Sequence, residues 1–181
     1  MSLREITKDL HADAERTIFA KKLVTGTITV EEYANYLWQM VLVYTSIENF
    51  AGELGQLDNL PDIRRASKIY QDCIELVGPH HMLHWLPVTI DYYKYLLDLF
   101  YDTNRRKLIK AHLYCRHMGD LSGGQVIAKK VPGSGRFYQF ENAELLKTKI
   151  REELTDDLGD EAKVAFQWAI KLMTALNTYH E

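Results

Sequence analysis

A chain of 181 residues with 22 basic and 25 acidic side chains, formal charge −3, has the length of one domain able to bury a sizeable core. Its 46% apolar content is ordinary for a globular protein, and ten glycines with four prolines are too few for a turn-rich sandwich or barrel. The near-balanced charge gives no general attraction to nucleic acid or an anionic membrane, two cysteines cannot build a disulfide framework, and no stretch approaches the ~18 uncharged apolar residues of a membrane span.

Helical periodicity begins at once. Leu3, Ile6, Leu10, Ala14 and Ile18 recur at three- and four-residue steps and form one apolar stripe, which Gly26 ends. Thr29 followed by Glu32 reads as a capping box opening a second helix, with Tyr33, Tyr36, Leu37, Met40, Tyr44 and Ile47 on its stripe before Gly52 and Gly55. A third helix is expected from Pro61, a residue suited to a first helical position, to about Val77. Residues 78–87 read as a loop and 89–101 as a further apolar helix. From about 103 to 130 the pattern stays helical, interrupted at Gly-Asp-Leu-Ser-Gly-Gly-Gln (119–125); 131–140 is a loop; helices over 142–157 and 161–179 finish the chain. No internal repeat or convincing alternating strand is present. The expectation is an all-α fold, one domain over 1–181. With an N-terminus lacking the apolar core of a signal peptide and few cysteines, the expected location is the cytoplasm, or the plastid stroma for a mature organellar form.

Three of the ten glycines, Gly119, Gly123 and Gly124, fall within six residues of an otherwise strong helix, and each mid-helix glycine costs roughly 1 kcal/mol against alanine. Three offsets are open. Leu121-Ser122-Gly123-Gly124-Gln125 matches the signature peptide of ABC ATPases, but no phosphate-cradling P-loop accompanies it. Close helix packing or a helix end is a plain alternative. The third is a flat ligand laid against a face stripped of β-carbons, at a kink, with Asp120 beside it.

His11 shares a helix side with Arg4, Lys8 and Glu15. A helical histidine is ordinarily exposed or a satisfied core residue; here Glu15 is placed to accept a hydrogen bond from the ring nitrogen that does not bind metal, and Arg4 and Lys8 put positive charge alongside. A solvated charged face explains the same residues. The cluster His80, His81, Met82 and His84 and the basic run Arg105, Arg106, Lys107 and Lys110 read as incidental and as a solvated face, respectively. Docking of an acidic electron donor is the alternative for the basic run.

The stretch Thr-Lys-Asp-Leu-His-Ala-Asp-Ala-Glu (7–15) is similar to the proximal-helix motif of the biliverdin-producing haem oxygenases. Tyr-Cys-Arg-His-Met-Gly-Asp-Leu-Ser-Gly-Gly-Gln (114–125) resembles that family's distal-helix signature nearly residue for residue. The likeness runs from about Leu3 to the final helix, with 56–103 matching loosely. It implies haem held between a proximal helix and a kinked glycine-rich distal helix. His11 would ligate the iron, with Glu15 behind it, and Gly119, Gly123 and Gly124 would line the distal face. Asp120 would organise distal water with Tyr44 and Arg116. Arg4, Lys8, Lys147 and Arg151, with Tyr114, would surround the propionates. Ile150 stands where the family often has an aromatic residue, and the membrane tail of some members is not present in this sequence.

The resemblance implies oxidative opening of haem to biliverdin, carbon monoxide and iron, with haem as both substrate and prosthetic group. A neutral imidazole pushes on the O–O bond less than a thiolate does, which leaves activated oxygen to attack the porphyrin edge. Asp120 would deliver the proton through water. No flavin or dinucleotide fingerprint is present, so O2 must meet electrons from an external reductant, a ferredoxin or a flavoprotein reductase; a bilin reductase is an expected product acceptor. The rivals are a non-catalytic haem carrier or sensor on the same scaffold, which has no need of Asp120 with Arg116, and a helical interaction module that takes up no haem.

Overall fold

The computed structural model describes residues 3–80 and 83–179, and among these it contains helices and connecting turns but no strand. Ten α-helices follow in order: α1 (Leu3–Ile6), α2 (Lys8–Arg16), α3 (Ile18–Thr25), α4 (Val30–Glu53), α5 (Ala66–Val77), α6 (Pro87–Tyr101), α7 (Ile109–Ser122), α8 (Gly124–Ile127), α9 (Ala143–Glu152) and α10 (Gly159–Tyr179). Three single 3-10 turns cover 106–108, 136–138 and 156–158.

The capping box forms as the sequence predicts: Glu32 N donates to Thr29 Oγ1 at 3.2 Å and Thr29 N to Glu32 Oε2 at 2.8 Å. It starts α4, the central element, which packs on α5, α6, α7 and α10. Tyr33, Leu37, Met40, Tyr44 and Ile47 are all buried there, so the predicted stripe is the axis of the core. On α10, Ala165, Ala169, Leu172 and Leu176 turn inward as the spacing requires.

The first stripe is divided into three helices rather than one. Thr17 adopts an extended ψ of 146° and caps α3, its hydroxyl accepting from Ala20 N. A threonine whose side chain serves a new helix start interrupts the old helix, and Ile18 consequently lies 58% exposed, off the stripe. Gly26 closes α3 at a left-handed φ of 76°, a conformation glycine takes without strain. The third predicted helix begins five residues late, at Ala66, because Asp62 has φ +60°. No helix continues through a left-handed residue. The Arg65 guanidinium holds that turn by donating to the carbonyls of Ile63 (3.3 Å), Gln139 (2.6 Å) and Asp62. Proline does open a helix, but at Pro87. The helix expected over 142–157 ends at Glu152, and the segment from 103 becomes α-helical only at Ile109.

Candidate functional site

The interior of α7 carries polar side chains where a core helix would have apolar ones. His112, Arg116 and Asp120 follow at four-residue steps, so they share one face, and all three are buried. Tyr44 of α4 donates its hydroxyl to Asp120 Oδ2 at 2.5 Å. Burial pushes the Asp120 carboxyl up to about 6, against the opposing pull of His117, the Tyr44 hydrogen bond, Arg116 and Arg65. Such a group can exchange a proton near neutrality, as an acid–base residue must. Burial and the Asp120 charge in turn hold the Tyr44 phenol well above its ordinary range. Arg116 lies with its guanidinium carbon 5.5 Å from the centre of the Tyr92 ring, and its Nε and Nη2 are buried without a protein partner. Buried N–H groups are rarely left unmatched, so this side of α7 is built to meet a polar guest or water. The sequence-predicted trio Tyr44, Arg116 and Asp120 is thus brought together.

Around the trio are buried groups that sequence reasoning did not single out. Tyr92 OH lies 2.8 Å from His112 Nδ1, and His112 Nε2 lies 3.0 Å from Glu161 Oε1, which also accepts from Tyr95 OH at 2.5 Å. His117 Nε2 lies 3.0 Å from Glu48 Oε1. The periodic placement of His112, Arg116 and Asp120 was a usable signal for the first of these groups. Glu161 and Glu48, 49 and 69 positions from the histidines they meet, left none.

The three clustered glycines do different jobs. A β-carbon on Gly119 would meet nothing within 4 Å, and one on Gly123 only the Gly119 carbonyl at 3.5 Å; both residues are exposed. They present bare main chain outward. Gly124 is buried, and a β-carbon there would lie 2.5 Å from the Tyr138 ring. Gly124 therefore has a packing role against Tyr138 that its sequence position did not reveal. The helix also ends here, since Gly123 is the cap between α7 and α8.

His11 stands on α2 with its side chain 54% exposed, Nδ1 3.5 Å from Glu15 Oε1 and its ring edge-on to Phe166 of α10 at 5.7 Å. Both α2 and α7 pack on α10, but no direct bond joins His11 to the Asp120 group among the described residues. Arg4 of α1 and Arg151 of α9 act on Tyr114 of α7, restraining the rise that burial imposes on its phenol, so three of the predicted propionate-binding residues converge from three elements. Lys147, one turn before Arg151, is paired with Glu144 at 2.7 Å, and Lys8 is exposed.

The weaker candidates show no metal cluster among the described residues. His80 and His84 belong to no cluster of metal ligands among the described residues, and His81 and Met82 lie outside those residues. In the basic run, Lys107 pairs with Asp157 and Lys110 with Glu153, each at 2.8 Å, and Arg105 with Asp102 at 3.9 Å. An open hollow of about 640 Å³ is lined by Asn49, Gly52, Glu53 and Arg64, far in sequence from the glycine cluster. A crevice of about 10 Å³ runs beside Tyr114 and Ile150. No helix among the described residues is long and apolar enough to cross a membrane.

Comparison with known proteins agrees with this geometry. The family model described as heme oxygenase matches residues 1–175. Heme oxygenase 1 of Rattus norvegicus is 27% identical, over 97% of this chain and 70% of its own length. Among solved structures, heme oxygenase-1 of the cyanobacterium Synechocystis, in complex with heme, superposes with a TM-score of 0.86 at 23% identity, covering 98% of this chain and 91% of that one. Heme oxygenase from Leptospira interrogans superposes with 0.82 at 24% identity, covering 97% and 100%.

Proposed function

The chain belongs to the haem oxygenase family, whose members open haem to biliverdin, carbon monoxide and iron, and from that membership we propose how its own residues divide the work. The observation that carries the assignment lies within two turns of α7: exposed Gly119 and Gly123 offer bare backbone, while Asp120 and Arg116, the latter with Nε and Nη2 unmatched, lie buried. A plane can rest on the first pair while the second governs protons.

The residues fit haem as the substrate. His11 is accessible for iron, and Glu15 is close enough to accept from its Nδ1–H directly or through water, a pairing that orients a metal-binding imidazole. Gly119 and Gly123 would accept the opposite face of the ring. Arg4, Lys8, Arg151 and Lys147, with Tyr114, would hold the propionates. Bound haem supplies the iron that binds O2 and takes up electrons. Neutral imidazole favours attack on the ring over rapid O–O cleavage.

Asp120 then does the work of the chain itself. Its carboxyl, fixed by the Tyr44 hydroxyl, gives up a proton through water and recovers it near neutral pH. Arg116 holds the water that carries it. Electrons come from a separate donor, a ferredoxin or a flavoprotein reductase, and a bilin reductase is a fitting acceptor for the product. Aerobic turnover with hemin and a reductant tests the reading: the Soret band should disappear as a bilin band rises. Haem uptake with a Soret band that survives repeated reduction would instead make the chain a carrier or sensor.

A further inference from the structure

The His117 ring is fully buried, and both of its nitrogens face acceptors. Nδ1 lies 3.1 Å from the Leu113 carbonyl oxygen, which can only accept, so Nδ1 carries a proton. Nε2 lies 3.0 Å from Glu48 Oε1. That carboxyl already accepts two backbone N–H bonds, from Arg65 at 2.5 Å and Ala66 at 3.2 Å, the environment of an ionised carboxylate. Nε2 must then donate as well. A neutral imidazole has one N–H and cannot satisfy both contacts.

Most of the other charged groups near this ring are engaged elsewhere. Tyr44 of α4 lies against it, ring centres 5.0 Å apart, and gives its hydroxyl to Asp120. The Arg65 guanidinium donates to three carbonyls of the 62–65 turn and Gln139. Asp72 of α5 accepts from Phe137 N and pairs with Arg136. Tyr36 of α4 and Tyr138 of the 136–138 turn are neutral phenols, and His112 on the far side is tied to Glu161. On the same helix, Arg116 and Asp120 flank the ring's position, and His117 is the largest of the influences opposing the effect of burial on Asp120.

We propose that His117 is a positioning residue for the reaction: a buried imidazolium, clamped between the Leu113 carbonyl and Glu48, that braces the Tyr44 ring and supplies the positive charge against which Asp120 ionises. Its catalytic meaning rests on the reading of Asp120 above; the charge on the ring does not.

Haem being the substrate, the haem-free full chain is the resting enzyme, and NMR on it provides the test. With ¹⁵N-labelled histidine, both ring nitrogens of His117 should carry a proton, the signals being assigned by their loss in H117Q and by their change in E48Q. In E48Q one of the two protons should be lost. In H117Q the midpoint of the Asp120 carboxyl ¹³C titration should rise by roughly 1 pH unit, and the pH profile of biliverdin formation should move the same way. A single ring proton in the parent chain, or an unmoved Asp120 midpoint in H117Q, overturns the proposal. If H117Q does not fold, the ring signals that change in E48Q identify His117, and their proton count in the parent chain decides it. Absence of turnover with hemin would sink the catalytic reading while leaving these ring and carboxyl measurements intact.

Discussion

Alanine at Gly119 and alanine at Gly124 should have opposite effects on the haem-free protein. Gly119 lies inside α7, and a β-carbon there meets nothing within 4 Å, so G119A gains the helix-propensity difference of about 1 kcal/mol. For a chain of this size that raises Tm by roughly 2–4 °C. At Gly124 the added carbon would lie 2.5 Å from Tyr138, whose ring is 2% exposed and stacked on Phe137 at 4.3 Å. With no room to yield, overpacking should cost about 1–3 kcal/mol and lower Tm by several degrees. Hemin titration completes the contrast: G119A, although the more stable protein, should bind at least tenfold more weakly, a loss of about 1.4 kcal/mol. Thermal unfolding followed by circular dichroism and Soret titration measure both. If G119A leaves hemin affinity unchanged, the outward face of α7 is not a ligand face; a lower Tm in G119A would refute the open space at that position, and a neutral G124A the packing role.

D120N should bind hemin but lose biliverdin formation by about 10²-fold or more in single-turnover assays, since an amide cannot cycle a proton. The same carboxyl makes stability depend on pH. Its folded value is raised from 3.8 to about 6, so its contribution is complete below 3.8 and is lost as pH rises to about 6. Relative to the parent, D120N should therefore gain stability across that window, by up to about 3 kcal/mol, as urea unfolding at several pH values will read. Y44F removes the 2.5 Å hydrogen bond that favours the ionised form, so the Asp120 midpoint should move upward in a carboxyl ¹³C titration. H11A should abolish the imidazole signature in the spectrum of bound hemin, and added imidazole should restore it; an unaltered spectrum excludes His11 as the ligand.

Much of the helical order was legible because apolar spacing and the Thr29–Glu32 box are local signals. The errors fall where local signals conflict with distant ones. Pro61 suits a helix start, but Asp62 turns left-handed under the hold of Arg65, whose guanidinium reaches the Gln139 carbonyl 74 positions away. Thr17 looks like one more small residue in a continuous helix until its hydroxyl is seen capping α3. In the site, His11, Gly119 and Asp120 were readable from type and spacing together with a family likeness. His117 and Glu48 were not, because a buried hydrogen-bonded pair across 69 positions leaves no pattern in either segment. The packing of Gly124 on Tyr138 was not legible because sequence shows which residues lack a side chain but not which neighbour occupies the vacated space.

The two halves of the site are anchored with unequal firmness. Asp120 sits buried and hydrogen-bonded to the central helix, whereas His11 rides on a nine-residue rod that leans on α10 and α3 and ends at the non-helical Thr17. Local opening is cheapest where few interior contacts must be given up. On the proposed reading, a broad, stiff molecule would come and go by displacing the rim that carries His11, while the wall that holds Asp120 stays assembled from one turnover to the next.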